Sequence, residues 1–136
     1  MSTAKVINLV HPSGSTTNIV LDNLGNATVG GSMTSGGYGS FKAPGTINAA
    51  AYSVAATDCS LIFTTTNNTL TLPAAATYPG RILYVKNITA NSVTSASSNV
   101  VPLGSATAGT AILSATAGKF AMLQSDGANW ITMLAN

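Results

Sequence analysis

Hydrophobic and polar residues alternate in short runs along most of the chain, and turn-forming residues separate the runs. In "TLTLP", Leu70 and Leu72 alternate with threonines, as a strand that is buried on one face requires. "RILYVKNIT" has the same period of two and places Ile82, Tyr84 and Lys86 on one face. The alanine-rich pieces "AAAY" and "PAAATYPG" are too short for long helices. We therefore predict an all-β fold, an antiparallel β-sandwich or barrel-like domain.

Glycine and serine divide the chain into two regions. Residues 1–45 contain a strand-like opening, "KVINLV", and a small hairpin, "NIVLDNLGNATV", followed by the Gly/Ser-rich stretch 30–45. We predict that 1–45 is an extended N-terminal arm used for attachment, and that 46–136 is a compact β domain. The Gly/Ser-rich stretch is either a flexible linker or a segment that docks Tyr38 and Phe41 on a neighbouring subunit.

A closing hairpin is predicted where "KFAMLQ" and "NWITML" flank "SDGA". Asp126 and Gly127 provide the turn, so Asp126 is interpreted as a turn-former rather than as a catalytic acid. Trp130, the only tryptophan, is expected to pack in the core with Thr132 and Leu134 on its face. The alternative for Trp130 is stacking on a glycan.

Charge is the strongest anomaly of the composition. Charged residues make up 6% of the chain, where about a quarter is typical, and Glu is absent. Thr, Ser, Ala and Asn take their place; such short side chains suit packed β structure and lose little entropy when a partner covers them. This composition fits a virion shell or fibre, a secreted adhesin, or a β domain with a drifted surface.

Several classes of partner are not indicated. The five basic residues are scattered, so we expect no nucleic-acid binding. "VINLV" is too short for a signal-peptide core, and the uncharged run 87–118 is too polar for a membrane helix, so no membrane association is expected. The lone Cys59 excludes an intramolecular disulfide and is interpreted as a small buried hydrophobe rather than a nucleophile.

Enzymatic chemistry is not indicated either. Metal binding needs several convergent ligands, and the chain has one histidine, His11, one cysteine, and three aspartates between Asp22 and Asp126. A glycosidase would need two of those aspartates side by side. We therefore predict no catalytic residues, no metal site and no cofactor, and interpret His11 as a turn or interface residue.

Three motifs carry a resemblance to a known family. A "TLP" strand, a "G-R-x-x-x-V-K-N" strand and an "SDG-x-x-W" hairpin occur in this order at Leu72–Pro73, Gly80–Asn87 and Ser125–Trp130. The region resembles a β module of tail fibres and other virion proteins of tailed bacteriophages. "HPSGSTTNIVLDNLGNATV" is similar to a short segment of structural proteins of cyanophages and other marine phages.

The resemblance implies a non-enzymatic virion structural protein, often trimeric, assembled in the host cytoplasm. The short chain favours a capsid decoration (cement) protein or a head fibre bound to the major capsid protein or other virion proteins. The alternative is a tail fibre or baseplate component that contacts host-surface glycan through Trp130, Tyr84 and Tyr38.

Oligomerisation is also expected on physical grounds. Sheet edges normally carry charge that prevents edge-to-edge pairing, and this chain has almost none, so its edges should be covered by partners. We predict a homotrimer whose arm extends onto the capsid or a neighbouring subunit. The apolar residues of the arm expected to make this contact are Val6, Ile7, Leu9, Ile19, Val20 and Leu21.

Overall fold

The computed structural model describes residues 8–10, 17–21, 27–29, 42–65 and 67–136. The chain divides into two compact units, Met1–Ser40 and Phe41–Asn136. This division lies earlier in the chain than the predicted boundary between residues 45 and 46.

The first unit contains a three-stranded antiparallel sheet in the order β1, β2, β3. Its strands are β1 (Asn8–Val10), β2 (Thr17–Leu21) and β3 (Ala27–Val29). Of the predicted arm contacts, Leu9 lies in β1, and Ile19, Val20 and Leu21 lie in β2, where Ile19 is half-buried. Val6 and Ile7 lie outside the described residues.

The second unit consists of short strands and one 3₁₀ turn, so the all-β class is confirmed for the described part of the chain. The elements are β4 (Gly45–Ile47), β5 (Ala51–Ser53), β6 (Ser60–Phe63), β7 (Asn68–Thr71), the 3₁₀ turn Ala75–Thr77, β8 (Ile82–Asn87), β9 (Val93–Ser95), β10 (Val100–Val101), β11 (Ala111–Leu113), β12 (Phe120–Ser125) and β13 (Trp130–Ala135).

The chain alternates between two sheets from β4 to β12. One sheet has the order β10-β13-β12-β8-β6-β4, and the other has the order β11-β9-β7-β5. Strands β4, β6 and β8 are therefore parallel neighbours, as are β5, β7 and β9. The prediction of antiparallel sheets was wrong for these strands. Between β4 and β6, β6 and β8, β5 and β7, and β7 and β9, the chain passes through a strand of the other sheet and returns in the same direction. Antiparallel pairing holds for β8–β12, β12–β13 and β9–β11.

The turns that follow β4, β6 and β8 are hydrogen-bonded to one another. The Thr64 amide donates to the Ile47 carbonyl at 3.0 Å, and the Thr65 hydroxyl donates to the Asn48 carbonyl at 2.9 Å. The Asn91 side-chain amide in turn donates to the Thr65 carbonyl. Short Thr and Asn side chains thus connect successive turns. The abundance of Thr and Asn in the chain therefore has a structural role.

The buried residues of both sheets belong to one hydrophobic core. The strongest alternation is in β8, where Leu83, Val85 and Asn87 are buried and the residues between them are exposed. Members of the core from the two sheets include Leu61, Phe63, Leu70, Leu83, Val93, Leu123 and Trp130. Trp130 has 0% of its surface exposed, and its indole Nε1 donates to the Pro73 carbonyl at 2.9 Å.

A β-bulge in β13 changes the face on which one predicted core residue lies. Leu123 pairs with Thr132, whereas Met122 pairs with Leu134, so Met133 is an extra residue in the ladder. After this bulge, Leu134 is 53% exposed, although Thr132 is buried. The expectation that Leu134 shares the face of Trp130 was therefore wrong.

Candidate functional site

The Asp126 side chain is engaged in the hairpin turn. Its Oδ1 atom accepts hydrogen bonds from the backbone amides of Ala128 at 2.7 Å and Asn129 at 2.6 Å. These bonds hold the pKa of Asp126 below its ordinary value, so the exposed carboxylate is ionised at neutral pH. Gly127 has a φ of 92°, which other residues rarely adopt. The arrangement is that of a turn-former.

Asp58 is the centre of a second polar cluster. Its Oδ1 atom accepts from Lys42 Nζ at 3.0 Å, and its Oδ2 atom accepts from the Tyr52 hydroxyl at 2.8 Å and the Ala55 amide at 2.9 Å. Burial acts to raise the pKa of Asp58, but the hydrogen bonds from Tyr52, Lys42 and Ala55 together lower it below its ordinary value. The same contact with Asp58 raises the pKa of the Tyr52 phenol.

This cluster is closed by a guanidinium group. One nitrogen of Arg81, Nη2, donates to the carbonyls of Ala55 at 2.6 Å and Asp58 at 2.8 Å, and the guanidinium carbon lies 4.9 Å from the centre of the Tyr78 ring. Both Asp58 oxygens already accept hydrogen bonds, so the carboxylate is held as a structural anion. Within the described residues, no three His, Cys, Asp or Glu side chains come close enough to hold a metal ion.

The outward side of the six-stranded sheet, here called the outer face, is the most site-like surface of the second unit. Tyr84 lies near its centre, paired with Met122 on one side and Ser60 on the other, and is 50% exposed. Alternation and pairing place on this face Thr46, Ser60, Ile62, Ile82, Tyr84, Lys86, Val101, Phe120, Met122, Gln124, Ile131 and Leu134. Most of these side chains are apolar and Lys86 is the one charged residue among them, so the outer face is largely apolar.

Two hollows flank the Tyr84 ring. The first has a volume of about 260 Å³ and is lined by Pro44, Ser60, Lys86 and Phe120, among others. The second has a volume of about 280 Å³ and is lined by Cys59, Ser60, Gly80 and Ile82 as well as Tyr84. Both volumes lie below the roughly 300–1,000 Å³ of small-molecule pockets, so each hollow is the size of a side chain rather than of a ligand.

The outer face was not predicted from the sequence, although its signal was present there. In "RILYVKN" both alternating sets contain large apolar residues: Leu83 and Val85 on one face, Ile82 and Tyr84 on the other. A strand with one face in water would have polar residues in the second set. In β8 the second set instead places the exposed apolar side chains of Ile82 and Tyr84 on the outer face.

The candidate glycan-stacking residues have different positions. Trp130 is fully buried, so it has no ring face to offer a sugar. Tyr84 is half-exposed on the outer face, and Tyr38 lies outside the described residues. Cys59 is half-buried, and its Sγ lies 3.5 Å from the Lys42 carbonyl.

No family model, no curated protein and no solved structure matches this chain. Among the residues that the structure describes, no helix is both long enough and apolar enough to cross a membrane.

Proposed function

We propose that the chain is a non-enzymatic structural protein of a tailed-bacteriophage virion, a capsid decoration (cement) or head-fibre protein. It binds the major capsid protein or other virion proteins, and either stabilises the shell or projects from it. The phage assignment rests on the sequence motifs at Leu72–Pro73, Gly80–Asn87 and Ser125–Trp130. The single structural observation that carries a binding role is the largely apolar outer face with Lys86 as its one charge.

The apolar face supports a binding role because the largest apolar patch of a soluble monomer, typically about 300–600 Å², is often a functional surface. Several polar side chains of the second unit instead form hydrogen bonds in its turns and in the Asp58 cluster. Such a domain has few flexible charged side chains to immobilise on assembly, and this lowers the cost of covering its surface.

The architecture belonging to this proposal is a β-sandwich-like domain in a homotrimer, with the N-terminal region as its attachment arm. Two sheets that share one core suit a sandwich, and the first unit supplies separate strands for attachment. Of the proposed contact residues in the arm, the structure describes Leu9, Ile19, Val20 and Leu21.

The test is immunogold labelling of intact virions with antibody against residues 46–136, counted over heads and tails. Dense labelling of heads supports the decoration or head-fibre role. Labelling confined to tails overturns that role in favour of adsorption, and unlabelled virions alongside a labelled purified protein would overturn the virion assignment itself.

The second candidate function is host adsorption by a tail fibre or baseplate component, and Tyr84 is the observation that favours it. A half-exposed tyrosine between two hollows is the kind of platform on which a sugar ring stacks. Saturable binding to host lipopolysaccharide that is lost in Tyr84→Ala and kept in Leu103→Ala would support it. Leu103 is the matched control, since it is 60% exposed in a loop outside the outer face.

A further inference from the structure

The outer face combines one exposed aromatic ring with two hollows. Tyr84 projects from the centre of the face, and hollows of about 260 and 280 Å³ lie on either side of it. The ring of one copy can therefore enter a hollow of the next while its own hollow receives another side chain. Packing of this kind, with an aromatic anchor in a closely fitting pocket, is typical of the residues that dominate interface energies.

The charges at the ends of this face are also complementary between copies. Lys86 pairs with Phe120 at the start of β12, whereas Asp126 follows the end of the same strand. Within the described residues the ion pair is Lys42–Asp58, so Lys86 and Asp126 have no partner of opposite charge there. In a head-to-tail ring, the Lys86 end of each copy meets the Asp126 end of the next.

The area of the face can be compared with that of stable interfaces. Six strands about 4.8 Å apart, with the longest strands about 20 Å in length, give a face on the order of 400 Å². This is about half of the roughly 800 Å² that each partner contributes to a standard stable interface. The face alone thus supports association that depends on concentration, and the remaining contact falls to the N-terminal region of the proposed function.

We infer that the outer face is the surface through which copies of this chain contact one another. Tyr84 is the central anchor of this contact, and Lys86 of one copy forms an ion pair with Asp126 of the next. This inference rests on the proposed homotrimer and locates its interface. The occupant of the face is a second copy of the chain, and the two hollows are side-chain sockets of that contact.

The experiment is sedimentation equilibrium of the full chain at concentrations up to about 100 µM, a range in which micromolar dissociation constants are resolved. Wild type should form trimers, and Tyr84→Asp should weaken association more than tenfold, because it puts a charge at the centre of the contact. Leu103→Asp is the matched control, an exposed leucine outside the face that should associate like wild type. Circular dichroism and thermal unfolding establish that each variant is folded.

The charge pair has its own double-mutant cycle. Lys86→Gln and Asp126→Asn should each weaken association several-fold at low salt, and the double variant should be no weaker than either alone. The Asp126→Asn change keeps a side-chain oxygen for the turn amides, so the hairpin is preserved. Additive losses would overturn the Lys86–Asp126 pairing.

The outcomes separate the inference from the proposed function. A trimer that persists in folded Tyr84→Asp overturns the outer face as the interface and leaves the homotrimer standing. A wild-type chain that stays monomeric over the whole range overturns both. Binding of wild type to purified capsids as a monomer, lost in Tyr84→Asp, would assign the face to the shell instead of to a second copy.

Discussion

The Tyr52 hydroxyl donates a 2.8 Å hydrogen bond to Oδ2 of Asp58, a residue with only 5% of its surface exposed. Tyr52 lies in β5, and Asp58 lies in the connection that leads to β6. Because Lys42 binds the other carboxylate oxygen, this cluster joins the start of the described second unit to the connection between β5 and β6. The stability of the second unit should therefore depend on the charge state of Asp58.

Acid should weaken the protein through Asp58. The folded-state pKa of this carboxyl is lowered, so the unfolded chain binds the proton first as pH falls. The contribution is fully present above the ordinary pKa of about 3.9 and is lost as pH falls through the lowered folded value. Urea unfolding at a series of pH values should show this decline in wild type and a flatter acid profile in Asp58→Asn. Equal slopes in the two proteins would contradict the assignment.

Alkaline pH should act through Tyr52. Its folded-state pKa is raised, so its contribution is present below the ordinary value of about 10 and is lost as pH rises through the folded value. Tyr52→Phe removes the hydroxyl and should cost about 1–2 kcal/mol of unfolding free energy at pH 7. Tyr84→Phe is the control, since Tyr84 is half-exposed, and should change stability by less than about 0.5 kcal/mol.

Truncation of Trp130 to alanine should cost on the order of 3–5 kcal/mol, because it leaves a large cavity in the shared core and an unpaired Pro73 carbonyl. Trp130→Phe fills more of the cavity and should cost less. Denaturant unfolding followed by circular dichroism measures both, and a loss below about 1 kcal/mol in the alanine variant would show that the side chain is not in the core.

Gly127→Ala should destabilise the closing hairpin by about 1–2 kcal/mol, since a φ of 92° is unfavourable for a residue with a β-carbon. Gly109→Ala is the matched control: its φ lies outside the left-handed region, and an added β-carbon would meet nothing within 4 Å. Thermal unfolding of the two variants should separate them by several degrees. Equal midpoints would show that the turn tolerates a side chain.

Asn87→Ala should cost about 1–3 kcal/mol. The buried Asn87 amide donates to the carbonyls of Asn91 at 2.7 Å and Ser114 at 3.1 Å, and truncation leaves both without this donor. Asn48→Ala tests the same change at an exposed asparagine and should be nearly neutral. A neutral result at Asn87 would mean that water replaces the amide as the donor to the Asn91 and Ser114 carbonyls.

Much of the local structure could be predicted from the sequence, for a physical reason. Alternation along a strand and the conformational preferences of Asp126 and Gly127 are properties of a few neighbouring residues. Strand β8 and the β12–β13 hairpin could therefore be identified from the order of their residues alone. The same local rule separates Leu83 and Val85 from Ile82 and Tyr84, but both pairs are apolar, so only the fold decided that Leu83 and Val85 are the buried pair.

The sequence by itself determined that the second unit is built of short β-strands with polar turns. Only the tertiary structure decided that β4, β6 and β8 run parallel. These strands begin at residues 45, 60 and 82, so their spacing is irregular and no sequence repeat indicates that they pair in parallel. It also decided the bulge at Met133 and the Lys42–Asp58 contact across the chain. These features depend on pairing between distant segments, which local preferences do not specify, because such pairing is chosen by the packing of the whole core.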